Sequence, residues 1–265
     1  MYYKTIDFSR YSSIKVGQPT EVLMLEKGDT PPKERYLIGG ANNLLLSPTP
    51  PALMMLSKAF SFIEERGAYC YIGGATPTGK ILSYAKRHNI KGFEFCAKLP
   101  GKLGGLIAMN AGVKAYEIFN IVDAVEIEGQ WIPKEQIAYG YRYANIQGVV
   151  TAVRFKIERG YDDALEKHLA QLRANQPTLP SAGSTFKNPP NDSAGRLIEA
   201  VGLKGVQEGG MMWSDIHANF LVNRGGGRFE EALSLIKEAK ARVQKRFGIS
   251  LEEEIKILSS TPLFI

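Results

Sequence analysis

Residues 181–197 read SAGSTFKNPPNDSAGRL, and this stretch organises our interpretation of the chain. It places a hydroxyl, a cation and an amide close together at Ser184, Lys187 and Asn188. Gly183 allows the backbone to approach a ligand closely, and the Pro-Pro pair that follows excludes helix immediately afterwards. We therefore predict that the three polar side chains lie on a fixed loop, a kind of segment that often carries chemistry.

A plainer interpretation of the same stretch is a turn that caps a helix. Ser193 has the properties of an N-cap for a helix over residues 194–201, with Gly202 as its stop. Capping accounts for Ser193 but does not require the three polar side chains upstream. Both interpretations therefore stay open on this segment alone.

The composition describes an ordinary globular chain with a basic balance. A chain of 265 residues with 44% hydrophobic content can bury a sizeable core in one large domain or in two to three small ones. The net charge is +6, and the sequence pI is about 9.1. This charge is compatible with nucleic acid, with an anionic small molecule or with no specific partner. Because the Lys and Arg residues are scattered, a small phosphate-bearing ligand fits better than a long polyanion, and we expect no nucleic acid.

Membrane, disulfide and metal signals are missing from the sequence. No apolar run approaches the roughly 20 residues that span a bilayer, and the N-terminus lacks a signal-peptide pattern, so we expect a cytoplasmic protein without membrane insertion. Cys70 and Cys96 lie far from any partner at metal-ligand spacing. We expect two buried thiols, no disulfide and no metal.

A glycine pair and two amides interrupt an apolar run at residues 36–46, YLIGGANNLLL. Consecutive N–H groups in such a turn can form a concave anion site, and Asn42 and Asn43 tolerate a left-handed backbone there. The spacing is not the GxGxxG dinucleotide fingerprint, and prolines prevent a following helix. The turn is either a pyrophosphate site or a plain β-turn.

A second glycine-rich stretch covers residues 92–112. Its glycines recur at intervals that we expect to exclude a packed helix, and apolar residues between them argue against a flexible linker. The stretch predicts backbone that passes close to a bound cofactor.

Hydrophobic periodicity predicts an alternation of strands and helices. Residues 2–25 favour short strands over helix. The helices are expected at residues 77–89, 162–174 and 230–247, and the strands at 68–74, 148–157, 218–222 and 251–257, with a hairpin over 121–132. His88 and His168 fall in predicted helices and are expected to be solvated, as are Glu252 and Glu253.

Arg142 lies between tyrosines in the segment YGYRY at residues 139–143. An arginine in this setting is either a stacked structural cation or a functional one. The residues themselves do not separate the two.

Taken in order, these segments closely resemble the UDP-N-acetylenolpyruvoylglucosamine reductases (MurB), flavoenzymes of bacterial cell-wall synthesis. The matching segments run almost end to end: SSIKVG at 12–17, GGANN at 39–43, LPGKLGG at 99–105, MNAG at 109–112, Tyr141-Arg142, AGSTFKNP at 182–189, residues 194–205, HANFLVN at 217–223 and LEEEI at 251–255.

The resemblance implies an α+β fold with a two-part FAD-binding domain of the PCMH type and a separate α+β substrate-binding domain. The expected divisions are residues 1–52 for the first FAD-binding subdomain, to which a strand at 255–265 can return, 53–158 for the second and 159–254 for the UDP-sugar domain. Since no His or Cys lies in the matched flavin loops, we expect noncovalent FAD. The residues that match cofactor contacts are Gly39, Gly40, Ala41, Asn42, Asn43, Leu44, Pro100, Gly101, Gly104, Gly105, Asn110, Ala111 and Gly112.

The resemblance also implies a reaction in two halves. NADPH reduces FAD, and the enolpyruvyl UDP-sugar then accepts hydride and a proton. Hydride addition leaves an enolate beside a carboxylate, which a positioned Arg142 and a protonated Glu254 would stabilise. Ser184 matches the proton donor, with Lys187 or an ordered water as its support.

The expected substrate contacts are Tyr141, Lys187, Asn188, Lys204 and His217, with Lys204 suited to the diphosphate. The chain departs from the family pattern at the GGANN turn and at Lys114, Ala115 and Ala144. It also lacks an insertion with a substrate-covering tyrosine before Ser181, which resembles the short, type II-like form. We expect a monomer or weak oligomer.

Two rival functions remain at this stage. One is a different FAD oxidoreductase of the same flavin fold, which would keep the glycine loops but has no reason to hold Ser184, Asn188 and Lys204 together. The other is a basic protein that binds RNA or nucleotides without catalysis.

Overall fold

The computed structural model describes residues 1–263 of the chain. Within them the helices are α1 Phe8–Tyr11, α2 Thr78–Arg87, α3 Leu103–Ala108, α4 Asp163–Gln171, α5 Ala194–Ala200 and α6 Phe229–Phe247. The strands are β1 Tyr2–Asp7, β2 Pro19–Leu25, β3 Tyr36–Leu37, β4 Leu44–Leu46, β5 Leu53–Leu56, β6 Ile63–Arg66, β7 Tyr69–Gly73, β8 Gly112–Val113, β9 Tyr116–Glu117, β10 Val122–Ile127, β11 Gln130–Pro133, β12 Tyr139–Gly140, β13 Tyr143–Ala144, β14 Val150–Lys156, β15 Ser181–Ser184, β16 Gln207–Glu208, β17 Met211–Trp213, β18 Phe220–Asn223 and β19 Lys256–Leu258. This mixture confirms the predicted α+β class.

The chain divides into two compact units, and each is assembled from separate stretches of sequence. The first unit contains residues 1–3, 23–40 and 53–174, and the second contains residues 4–22, 41–52 and 175–265. Residues 264 and 265, the end of the segment predicted to return to the first FAD-binding subdomain, lie outside the described residues. The three functional divisions expected from the sequence stay a prediction.

The first unit is built on an antiparallel sheet with strand order β11-β10-β14-β7-β6. Alternate strand residues such as Ile72, Val125 and Val153 point into a core that also receives Ile81 of α2 and Ile107 of α3. This alternation follows from the two-residue period of a strand. A smaller sheet places β5 between β2 and β3.

The second unit has an antiparallel sheet with strand order β15-β18-β17-β16. Helices α5 and α6 contribute Leu197 and Ala239 to a core around the fully buried Trp213. Helix α6 ends where Gly248 adopts a left-handed backbone with φ of 70°. Strand β19 pairs in parallel with β4, so a late segment of the chain is built onto an early one.

Most of the predicted elements are confirmed within a few residues. The helices predicted at 77–89, 162–174 and 230–247 are α2, α4 and α6, and the predicted hairpin is β10 with β11. Cys70 and Cys96 are buried free thiols, and burial is the main cause that raises the pKa of each to about 12. His88 and His168 are exposed as expected.

Residues 2–25 form the two short strands that we expected, β1 and β2. They also include a short helix that we did not expect, α1, because the Asp7 side chain caps it by accepting from Ser9 N at 3.0 Å. The expectation that residues 92–112 exclude a packed helix is wrong. This stretch contains α3, in which the packing of the buried Leu103, Leu106 and Ile107 outweighs the low helix propensity of glycine.

The last strand begins at Lys256 and not at Leu251, so residues 251–255 form no regular strand. Within this segment the carboxylate of Glu253 is half-buried and pairs with Lys240 at 2.6 Å, unlike the solvated acid that we expected. Glu252 is exposed, as predicted.

None of the helices among residues 1–263 combines the length and the apolar character needed to cross a membrane.

Candidate active site

Strand β15 places Ser184 at its end, directly before the polar loop. Ser181 pairs with Val222 and Ser184 with Phe220 of β18, and the register slips between these two pairs. Gly183 lies within the slip with φ of 83°, a left-handed conformation that glycine adopts without a steric penalty. The irregularity leaves Ser184 half-buried at the strand end.

The loop after Ser184 is held by Asn219, a residue to which the sequence assigned no role. Its side-chain oxygen accepts from Phe186 N at 3.0 Å, and its amide nitrogen donates to Phe186 O at 2.8 Å. The backbone oxygen of Asn219 also accepts from Thr185 N at 2.7 Å. Asn219 is buried. The sequence feature that could have identified it is its position in the HANFLVN motif, two residues after His217.

Glu254 is fixed through both of its peptide groups in the second unit. Its N–H donates to Thr185 O at 2.8 Å, and its carbonyl oxygen accepts from the Asn43 side-chain amide at 2.9 Å. Phe186 and Glu253 form an antiparallel bridge next to these bonds. The structure therefore brings the segment of Glu254 directly beside the residue that follows Ser184.

Lys187 and Asn188 both have partners within the protein. The Lys187 ammonium forms an ion pair with Glu252, and its backbone N–H donates to Glu252 O at 2.9 Å. The Asn188 side-chain oxygen accepts from Ala194 N at 3.0 Å, at the start of α5. Ser193 caps the same helix by accepting from Arg196 N at 3.3 Å, so the capping interpretation is confirmed for Ser193 and extends to Asn188.

Lys204 and His217 lie within electrostatic reach of each other. Burial is the main cause that lowers the pKa of His217 below 6.5, the Lys204 charge lowers it further, and a backbone hydrogen bond acts in the opposite direction. The imidazole is therefore mostly neutral at pH 7. The Lys204 side chain is 34% exposed and its ammonium pairs with Glu199 at 2.9 Å, so it can exchange this partner for another anion.

Arg142 lies in the two-residue turn between β12 and β13 of the first unit. Its backbone has φ of 55°, an uncommon conformation for a side chain of this size. The guanidinium donates to Gly112 O at 3.3 Å and lies 5.1 Å from the ring centre of Tyr141, which is half exposed. The stacked arrangement that the sequence allowed is thus present, and it does not decide between a structural and a functional role.

The predicted pyrophosphate turn bends at a different residue than expected. Ala41 has the left-handed backbone, with φ of 52°, and the asparagines after it do not. Their amides are used for support, since Asn42 donates to the Ser13 hydroxyl at 2.6 Å and Asn43 to Glu254 O. Gly39 and Gly40 belong to the first unit and Ala41, Asn42, Asn43 and Leu44 to the second.

A small cavity of about 100 Å³ in the first unit is lined by several glycines together with apolar side chains. Its lining includes Gly39, Gly74, Gly104 and Gly105, so it joins both predicted flavin loops. A Cβ on Gly105 would meet nothing within 4 Å, so a side chain at this position would enter open space beside the cavity. Complete ligand sites usually measure about 300–1,000 Å³, so this cavity suits one part of an extended cofactor.

The remaining predicted cofactor residues lie around helix α3. Pro100, which is exposed, and Gly101, which is half-buried, precede it, and Gly101 O accepts from Thr78 N at 3.0 Å. Asn110, Ala111 and Gly112 follow it. Asn110 is completely buried, its side chain is bonded within the protein, and its backbone N–H donates to Ile107 O at 3.1 Å.

A larger cavity of about 620 Å³ opens on the opposite face of the main sheet. It contains Tyr71 and Trp131 in an edge-to-face pair and is bordered by Lys27 and Arg66. Both cations already lie over rings of the protein, Lys27 over Phe62 and Arg66 over Tyr71. We assign it no ligand because its aromatic faces are covered by the chain's own cations.

Comparisons with known proteins decide the family. The family model for the C-terminal domain of UDP-N-acetylenolpyruvoylglucosamine reductase matches residues 175–258. The UDP-N-acetylenolpyruvoylglucosamine reductase of Helicobacter pylori is 48% identical over 258 residues, which cover 97% of this chain and 100% of the relative. The chain belongs to the UDP-N-acetylenolpyruvoylglucosamine reductase (MurB) family.

Two further relatives agree with this membership. The reductase of Helicobacter hepaticus is 47% identical over 96% of this chain and 98% of its own length. The crystal structure of MurB from Thermus caldophilus superposes with a TM-score of 0.84 at 30% identity, covering 97% of this chain and 99% of that one. The resemblance inferred from the sequence is therefore confirmed, and the chain is a member of a reductase family.

Within each unit, the structure groups part of the set of residues that the MurB resemblance selected. In the second unit Ser184, Lys187 and Glu254 lie on adjoining segments, and Lys204 lies near His217. In the first unit Arg142 and Gly112 are in contact, and Gly39 lines the same cavity as Gly104 and Gly105.

Proposed function

We propose that this chain reduces the enolpyruvyl group of UDP-N-acetylglucosamine enolpyruvate to UDP-N-acetylmuramate, a cytoplasmic step of peptidoglycan precursor synthesis. Family membership supports the reaction, because the similar proteins carry the name of this reductase. The observation that carries the proposal is the fixed position of Glu254 beside Thr185, which places a carboxyl and the Ser184 hydroxyl on adjoining backbone.

The cofactor of the proposed reaction is noncovalent FAD, with NADPH as hydride donor. The glycine-lined cavity would take one part of such a group, since its glycines allow close approach and Gly105 adds no side chain to the open space. Gly39 to Leu44, Pro100 to Gly105 and Asn110 to Gly112 would hold it. Bound FAD would accept hydride from NADPH and supply hydride to the alkene of the substrate.

The residues of the chain would stabilise and protonate the product of hydride addition. An enolate next to a carboxylate accumulates negative charge, so the positive charge of Arg142 and a protonated Glu254 would lower its energy where it develops. Ser184 would then donate a proton to the neighbouring carbon. A serine hydroxyl is a weak acid, so Lys187 or an ordered water would have to support its loss of a proton. Lys187 would do so by leaving its ion pair with Glu252.

The residues proposed to contact the UDP-sugar are Tyr141, Lys187, Asn188, Lys204 and His217. The exposed ion pair of Lys204 with Glu199 is weak, so its ammonium can turn to a diphosphate at little cost. A neutral His217 can both donate and accept a hydrogen bond.

The domain assignment belongs to the same proposal. Residues 1–52 and 53–158 would form the two FAD-binding subdomains of a PCMH-type fold, and residues 159–254 the substrate domain. The chain would act as a monomer or weak oligomer.

Stopped-flow absorbance tests the proposed function in one experiment. The purified protein should be yellow, NADPH should bleach the flavin band, and the enolpyruvyl UDP-sugar should restore it. A colourless protein that cannot be reconstituted with FAD would support a basic binding protein. Bleaching without recovery on substrate addition would support a different FAD oxidoreductase.

A further inference from the structure

The carboxylate of Glu117 lies between two residues of the candidate site in the first unit. One oxygen, Oε2, accepts from the Asn110 side-chain amide at 2.8 Å. The other, Oε1, lies 3.9 Å from the Arg142 guanidinium in an ion pair. The side chains of Arg142 and Glu117 are only 19% and 22% exposed, so solvent screens the pair less than it screens surface pairs.

Asn110 holds this carboxylate in place. It is completely buried, its amide also donates to Gly140 O at 3.0 Å, and its oxygen accepts from Phe119 N at 3.3 Å. One side chain therefore fastens Glu117 and the strand that leads into the Arg142 turn. Such a network restricts the carboxylate to one direction.

The turn itself is positioned by contacts that do not involve Glu117. Tyr139 of β12 stacks on the fully buried Phe119 with ring centres 4.4 Å apart, and Gly140 is held by Asn110. The pair of Glu117 with Arg142 acts on the guanidinium, at the far end of a flexible side chain. Loss of the Glu117 charge should consequently disturb the guanidinium more than the backbone of the turn.

We propose that Glu117 is a positioning residue that orients the Arg142 guanidinium toward the carboxylate and the developing enolate of the substrate, with Asn110 as its anchor. This inference rests on the proposed function, in which Arg142 stabilises the negative charge formed by hydride addition. A guanidinium that loses its orientation would stabilise that charge less well, and small misplacements of catalytic groups reduce rates strongly.

Glu117→Gln tests the proposal, because glutamine keeps an oxygen for Asn110 and removes the charge that faces Arg142. We expect flavin reduction by NADPH to stay within about twofold of wild type and reoxidation by the enolpyruvyl UDP-sugar to slow about tenfold. Glu117→Asp, which restores the charge on a shorter side chain, should recover part of the rate. Glu158→Gln, which removes the carboxylate from the exposed pair with Lys91, is the matched control and should behave as wild type.

A double-mutant cycle separates positioning from a structural role. In an Arg142→Lys background, Glu117→Gln should change the substrate half-reaction by less than about twofold, because the two residues act through one interaction. An equal tenfold loss in both backgrounds, or a full rate for Glu117→Gln, would overturn the inference while the wild-type activity upholds the proposed function. A wild-type protein unable to reduce the enolpyruvyl sugar would overturn the proposed function itself and remove the basis of this role.

Discussion

The side-chain amide of Asn43 donates a 2.9 Å hydrogen bond to the backbone carbonyl oxygen of Glu254, 211 positions later in the chain. The backbone oxygen of Asn43 also accepts from Lys256 N at 2.9 Å, where β4 and β19 begin to pair. The turn predicted to bind pyrophosphate is thus built into the segment of the predicted catalytic carboxyl. Changes in this turn should reach Glu254 directly.

Asn43→Asp should weaken both the fold and the substrate half-reaction. The variant replaces an amide donor with a carboxylate oxygen that repels the Glu254 carbonyl, which should cost about 1–3 kcal/mol of unfolding free energy. Urea denaturation and stopped-flow reoxidation measure the two effects. Asn120→Asp removes a comparable amide bond to Ala115 O at an exposed position and should change stability by about 0.5 kcal/mol or less. Equal behaviour of the two variants would show that the bond to Glu254 is unimportant.

Ser184→Ala should leave the first half-reaction intact and impair the second. Loss of a positioned proton donor typically slows a reaction by about 10²–10⁴-fold, and flavin reduction by NADPH does not use this donor. Rapid mixing with each reactant separates the two steps. Ser181→Ala, at the other end of the same strand, is the control and should retain both rates. A similar loss in both steps for Ser184→Ala would exclude the role of proton donor.

Glu254→Gln should also act on the substrate half-reaction. Glutamine preserves the size of the side chain and the backbone bonds to Thr185 and Asn43, but it lacks the carboxyl proton proposed to stabilise the enolate. We expect a loss of at least about 10²-fold in reoxidation by substrate, measured at saturating substrate. Glu253→Gln removes the neighbouring carboxylate, which pairs with Lys240, and should retain the rate. Full activity of Glu254→Gln would assign the charge stabilisation to other groups.

His217 should make stability depend on pH below neutrality. Burial and, secondarily, the Lys204 charge lower its folded-state pKa below the unfolded value of 6.5, so the unfolded chain binds this proton more readily. The stability linked to His217 is fully present above pH 6.5 and falls as the pH drops below that value. Urea unfolding between pH 7.5 and 5.5 should show a steeper loss for wild type than for His217→Asn. Parallel curves would contradict the lowered pKa, and the exposed His168→Asn serves as the reference variant.

The sequence alone determined the family and most of the regular elements. Helices α2, α4 and α6 could be predicted from apolar periodicity because each buries one face against a core. The apolar residues of a buried helix face recur with the helical period in the sequence. The α+β class follows from the same patterns. The family follows from short motifs whose order along the chain is itself a property of the sequence.

Local propensity failed where tertiary contacts outweighed it. Helix α3 forms in a glycine-rich stretch because three of its six residues are buried, and the strand expected at Leu251 is replaced by single bonds to Thr185 and Lys187. Neither set of contacts can be recognised from the residues that are adjacent in sequence. Packing free energy of this kind exceeds the propensity differences between residues.

The partners of the functional side chains were decided only by the tertiary structure. Asn43 with Glu254 and Asn110 with Gly140 join residues distant in sequence, and the role proposed for Glu117 depends on its ion pair with Arg142, which only the fold creates. A sequence lists which donors and acceptors exist, but hydrogen bonds depend on distances of about 3 Å and on direction, which the folded backbone sets. The sequence therefore named the chemical groups, and the fold determined which of them support one another.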